Sequence, residues 1–232
     1  MTDIHRRSLA AGAGFLLGAV AVQARAQQLA SVAVPTFRVQ PLAFNPEKVK
    51  GLSAKLLTSH HDNNYAGTVK RLAAIAEQLG KLDFEQTPGF MLNGLKREEL
   101  LAYNSTILHE LYFNSISDAP GQPSGLLGQA IARDFGSMDR WKTAFAATGK
   151  ALGGGSGWVI LAHSPRDKRL FNHWAADHTM APAGNVPLLA LDMYEHAYHI
   201  DYGADAGRYV DAFMQAINWT NAENRYREAM RV

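Results

Sequence analysis

A chain of 232 residues, 47% hydrophobic and 19% charged, is long enough to bury the core of one or two domains and too apolar to be a disordered polyelectrolyte. Its formal net charge of +2 gives no reason to expect nucleic acid or an anionic membrane surface as partner. With no cysteine it has neither disulfides nor thiolate ligands, so a metal would have to be held by oxygen and nitrogen.

The first 26 residues differ in kind from the rest. Arg6-Arg7-Ser8-Leu9 stands before an uncharged run of 13 residues, Ala10 to Val22, followed by Ala24-Arg25-Ala26. This reads as a cleavable export signal of the twin-arginine type, cut after Ala26, with a periplasmic or otherwise exported destination. The run falls short of the ~20 residues needed to span a bilayer, so stable membrane insertion is not expected. The twin-arginine route carries folded proteins, so any bound cofactor would be taken up before the chain leaves the cytoplasm. Removing Arg6, Arg7, Arg25 and Asp3 with the signal leaves 20 basic and 20 acidic side chains, a net charge near zero.

Residues 27–45, with Pro35 and Pro41, read as an extended arm. Residues 46–120 form a helical hairpin by pattern. A first helical run spans Pro46 to Gly80, but its stripe Leu52, Leu56, His60 does not continue on the face of Tyr65, Val69, Leu72, Ala76 and Leu79. The poor helix formers His61-Asp62-Asn63-Asn64 at the join predict a kink or local unwinding there. A loop over Phe84 to Gly94 then leads to a second long helix, Arg97 to Ser117. Asp118-Ala-Pro120-Gly-Gln-Pro-Ser-Gly125 is the strongest break and the expected domain boundary.

Residues 121–232 read as a second domain. Helices are expected near 124–134 and 137–151, the latter capped by Ser137. Strands follow at Trp158 to Ala162, Arg169 to Trp174 and Val186 to Leu191, with closing helices between Ala206 and Arg231. The fold class is therefore α+β: a long N-terminal helical hairpin packed on a C-terminal domain with a three-stranded antiparallel sheet flanked by helices. Gly153-Gly-Gly-Ser-Gly157 is not a phosphate loop, because its G-x-G-x-x-G frames end on Trp158 or Ile160 and it precedes a strand; a tight turn before a core tryptophan is the expectation.

Chemistry concentrates near the C-terminus. In Asp192-Met-Tyr-Glu195-His196-Ala-Tyr198, a helical or tightly turned backbone brings Asp192 and His196 to one face, a spacing that suits a cation. Two more histidines, His60 and His109, lie on apolar helical stripes upstream. Three imidazoles and a carboxylate make a charge-compensating set for zinc or a redox metal.

These residues carry a resemblance to the iron/manganese superoxide dismutases. The motif Asp192 to Tyr198 is similar to that family's Asp-x-Trp-Glu-His-Ala-Tyr, and Gly155-Ser-Gly-Trp158 and Phe135-Gly-Ser-Met-Asp-Arg-Trp-Lys-Thr-Ala-Phe145 extend the likeness over roughly residues 42–230. It implies one iron or manganese ion per chain, with a slight lean to iron, bound by His60, His109, Asp192 and His196, with solvent as fifth ligand. His61 competes with His60 for the first position; His60 is preferred because it lies on the apolar stripe. It further implies superoxide as substrate, dioxygen and hydrogen peroxide as products, and at least a homodimer, with Glu195 and Tyr198 at the interface.

The departures are specific. His178 falls where manganese enzymes carry a glutamine that hydrogen-bonds the metal-bound solvent, and the iron enzymes' alternative glutamine position is Ser105. His178 is thus expected as the outer-sphere donor. Thr68 stands where the family has its gateway tyrosine and Asn64 where it has an interface histidine, leaving Tyr65 as the nearest phenol, either in the channel or in the core. Tyr194 replaces the motif's tryptophan. The altered relay motivates a rival reading, an exported metal-binding relative without dismutase activity. A two-histidine, one-carboxylate oxygenase is disfavoured, since a fourth ligand leaves too few open positions.

Overall fold

The computed structural model describes residues 34–123, 125–181 and 183–231. The export signal expected over residues 1–26 lies outside the described residues, as does the start of the arm. From Val34 the chain runs extended to a short 3-10 turn, Pro46–Lys48. Helix α1, Ala54–Ser59, begins at Ser53, whose hydroxyl accepts from the Leu56 N–H. It passes into one π-helical stretch, His60–Tyr65, and then α2, Ala66–Gly80. The wide turn inserts residues without breaking the rod, and the apolar stripe changes register there as expected.

Helix α3, Gly89–Asn114, is antiparallel to α2 in the hairpin and starts eight residues earlier than the pattern at Arg97 indicated. Phe90 is 79% exposed and Met91 and Gly94 are also exposed, so this first stretch buries no apolar stripe that could announce a helix. Beyond the Pro120–Pro123 segment come α4, Gly125–Phe135, and α5, Met138–Ala151. Glu223 caps α4, its carboxylate accepting from the Leu126 and Leu127 N–H groups, while Ser137 caps α5 through the Arg140 N–H.

The sheet is antiparallel in the order β2-β1-β3, with β1 Trp158–Ser164, β2 Arg169–Ala175 and β3 Val186–Asp192. Every residue of β1 is buried, as befits a central strand covered on both faces. β3 carries Pro187 at a register shift opposite Leu161 and Ala162, where an edge strand tolerates the missing N–H; the Pro187 carbonyl accepts from the Arg225 guanidinium. After β3 come a 3-10 turn, Glu195–Ala197, and helices α6 His199–Tyr202, α7 Ala206–Ala216 and α8 Trp219–Ala229.

Register is what positions the site. Trp158 pairs with Asp192 on β3 and Ala175 on β2, so the end of the sheet nearest the hairpin carries an indole, a carboxylate and the exit to the β2–β3 loop side by side. Gly157 precedes Trp158 at φ +135, and a Cβ there would sit 2.1 Å from the Ala175 carbonyl oxygen. One continuous apolar core joins Leu56, Tyr112 and Phe113 of the hairpin to Phe145, Leu191 and Phe213 beyond it. Among the described residues no helix is long and apolar enough to cross a membrane.

Candidate metal centre

His60 opens the π-helical stretch, His109 lies on α3, Asp192 ends β3 and His196 sits in the 3-10 turn after it. Four elements thus deliver four donors. One carboxylate oxygen, Asp192 Oδ2, is the point of convergence: His60 Nε2 is 3.2 Å away, His196 Nε2 3.3 Å and His109 Nε2 3.6 Å. The four donor atoms all lie within 4.8 Å of one another. Asp192 and His196 meet through a strand end and a tight turn, since the Asp192 Oδ1 atom accepts from the Tyr194 N–H at 2.8 Å and folds the chain back.

This set fits a cation. Metal bonds of about 2.1 Å at angles of 90–120° place neighbouring ligand atoms roughly 3.0–3.6 Å apart. The Nε2 atoms of His60 and His109 are buried without a hydrogen-bond partner, an arrangement that costs free energy unless a Lewis acid takes the lone pairs. His109 Nδ1 donates to the Ser105 carbonyl at 2.7 Å, which leaves the Nε2 lone pair free for the cluster.

Electrostatics point the same way. Burial pulls the His60 imidazole below its ordinary range and His109 down to about 3, so both are neutral ligands at physiological pH. Burial opposes ionisation of Asp192, but the His196 and His60 imidazoles facing it hold its carboxyl below the usual range. Asp192 is wholly buried, and its carbonyl accepts from the Tyr209 hydroxyl at 2.7 Å, which also meets the Tyr112 hydroxyl at 3.3 Å.

The competing His61 points away. Its Nδ1 lies 2.7 Å from Asp62 Oδ1 and its Nε2 2.8 Å from the Gln40 carbonyl, so both nitrogens are engaged with the arm and the helix surface. His178, in the β2–β3 loop, lies beside the cluster: its ring centroid is 6.1 Å from that of His109, and it stacks on Tyr194 at 4.7 Å. The Trp158 indole donates to His178 Nδ1 at 3.0 Å. An indole N–H can only donate, so the neutral His178 carries its proton on Nε2. Tyr194 in turn stacks on His196 at 5.4 Å, and burial pushes its phenol up to about 12.

Tyr65 is buried, its ring 6.3 Å from His109, but its hydroxyl donates to Glu110 at 2.9 Å and accepts from the Gln40 N–H at 2.9 Å. The phenol therefore faces the arm. Glu195 is exposed, whereas Tyr198 is buried against Tyr209 at 5.4 Å. Pattern reasoning passed over Ser105 as the acceptor for His109, although the i−4 spacing was there to find, and passed over Asn104, whose partner is 74 residues away.

Comparison with known proteins follows the same lines. A family model described as iron/manganese superoxide dismutases, C-terminal domain, matches residues 123–225. A protein of Cupriavidus metallidurans named superoxide dismutase [Fe] is 58% identical over 195 residues, covering 84% of this chain and 98% of that one. One of Halobacterium salinarum named superoxide dismutase [Mn] 1 is 33% identical over 202 residues, 83% and 96% of the two chains, and one of Aquifex pyrophilus named superoxide dismutase [Fe] is 32% identical over 195 residues, 81% and 90%.

Proposed function

We propose that this chain, which belongs to the iron/manganese superoxide dismutase family, is an oxidoreductase that converts two superoxide anions and two protons to dioxygen and hydrogen peroxide. The observation that carries the reading is the convergence of His60, His109 and His196 on one Asp192 oxygen at 3.2–3.6 Å. An iron or manganese ion held there would supply the one-electron redox chemistry that the reaction needs. The 58% relative is named for iron and the haloarchaeal one for manganese, and the donor set accepts either, so iron is favoured by similarity alone.

The chain's own residues supply position and protons. His60, His109, Asp192 and His196 would hold the ion. Trp158 fixes the tautomer of His178, which keeps a proton on Nε2 beside the cluster, available to a developing peroxide. Tyr194 packs between His178 and His196 and limits the open face. Tyr65 stays protonated, its phenol pushed up to about 12 by burial, and binds the arm to the helix that bears His60.

Two finer readings go with this one. The exposed Glu195, next to His196 with 26% of its side chain exposed, supports a face on which a second copy docks, as the family motif implies. Glu195→Ala should then raise the monomer fraction in sedimentation. The twin-arginine pattern at Arg6-Arg7 supports action outside the cytoplasm, and replacing both arginines by lysine should retain the protein inside in cell fractionation. The central test is elemental analysis of the protein from its native exported fraction, paired with a dismutation assay. Near-stoichiometric iron or manganese with activity is expected; zinc or no metal, and no activity after reconstitution with iron or manganese, would sink the reading.

A further inference from the structure

We propose that Asn104 is a positioning residue for His178, locking the outer-sphere imidazole to the helix that carries His109. The inference rests on the dismutase reading but on a separate observation. Asn104 Nδ2 donates to the His178 carbonyl oxygen at 2.6 Å, from α3 to the β2–β3 loop across 74 positions of chain. On the same helix His109 follows five residues later, so one rigid element holds both a ligand and the anchor of the outer-sphere group.

The loop needs such an anchor. Its internal bonds are local: the Thr179 N–H and hydroxyl both donate to Asp177 Oδ1, at 2.7 and 2.6 Å, a side-chain turn that shapes residues 177–179 without referring them to the hairpin. Ser156 donates to the Ala176 carbonyl at 3.2 Å, which ties the loop to the sheet side. His178 is thus held twice, its ring by Trp158 and its main chain by Asn104. Trp158 pairs with Asp192 in the sheet, while Asn104 shares a helix with His109. The imidazole is referenced to both halves of the donor set, and a displacement of either half carries His178 along with it. Asn104 is half-buried at the rim of a small apolar cavity lined by Ile107, Leu108, Ile160 and Pro187, where water competes poorly for the His178 carbonyl.

Asn104→Asp keeps the shape and removes the donor. The expected result is a kcat lowered about five- to tenfold at unchanged metal content, the size of one lost internal hydrogen bond. Solvent exchange of the Trp158 indole N–H, followed by NMR in metal-free protein, should speed up by a similar factor as the loop loosens over it. In a His178→Ala background the same substitution should cost no further activity. Wild-type exchange and activity in Asn104→Asp, or losses that add in full to those of His178→Ala, would overturn the proposal. Should Asn104→Asp fail to fold or to load metal, Asn104→Ala in the metal-free protein decides by the exchange readout. A wild-type protein that loads iron or manganese yet does not dismutate superoxide would remove the dismutase reading and leave the exchange result standing on its own.

Discussion

Among the described residues, histidine nitrogens are buried without hydrogen-bond partners at His60 and His109, at His173 and at His163, and the first and last of these places, at opposite ends of the sheet, make the sharper contrast. At the hairpin end of the sheet, His60 and His109 bring unpartnered Nε2 atoms to Asp192. At the far end of β1, His163 is 3% exposed with neither nitrogen partnered, facing the edge of Tyr226 and near Arg133 and Asp134. Burial and missing partners are common to both. The difference is convergence: three imidazoles meet one fully buried carboxylate at the first site, while His163 belongs to no cluster of three or more potential ligands among the described residues. The lesson is that an orphaned buried nitrogen is a cost to be explained, and that it becomes a binding site only where separate elements aim at the same point.

That contrast can be broken most directly at Asp192. Asp192→Asn keeps the shape while removing the charge that draws the three imidazoles together, and should lower metal content well below stoichiometric and dismutation by at least ~10³-fold, measured by elemental analysis and assay on one sample. Full metal occupancy in this variant would mean that the histidines suffice and that convergence on the carboxylate is incidental. His178→Ala tests the next layer. Metal content should stay near wild type while kcat falls roughly 10²-fold, the scale of a positioned proton donor. Loss of the ion instead would move His178 into the ligand set. Gly157→Ala tests the scaffold between them: a Cβ 2.1 Å from the Ala175 oxygen forces Trp158 away from both Ala175 and His178, and should cost about 2–4 kcal/mol in denaturant unfolding.

The sequence made much of this readable, for physical reasons that can be named. His60 was separable from His61 because an apolar stripe fixes which face of a helix is buried, and the structure turns His61 to Asp62 and Gln40. The break after His60 was visible as a change of register, and it is a π-helical stretch. The three strands were read within a few residues because β-branched and aromatic runs were bounded by Gly, Pro and Ser. What escaped has equally plain causes. The start of α3 is solvated on its early turns, so no periodic signal marks it. The partners of Tyr65 belong to an irregular arm, and a carbonyl such as that of His178 leaves no trace in composition, so neither contact could be found before the chain was folded.

The smallest effect belongs to His163, at the far end of β1. Burial, with some repulsion from Arg133 and an opposing pull from Asp134, lowers the pKa of His163 below its ordinary value near 6.5. The folded sheet therefore refuses a proton that the unfolded chain accepts. Stability should fall as pH drops below about 6.5, and the loss should grow until the depressed folded pKa is reached, by at most ~1.4 kcal/mol per pH unit from this group. His163→Phe preserves a flat ring against Tyr226 and abolishes the titration. At pH 7.5 the metal-loaded variant should match wild type within ~1 kcal/mol in denaturant unfolding. Between pH 6.5 and 5 it should become the more stable of the two, by a margin that widens with acidity. Parallel pH profiles for the two proteins would mean that His163 is solvated or paired in solution, and the far end of the sheet would then no longer serve as the unliganded counterpart of the metal centre.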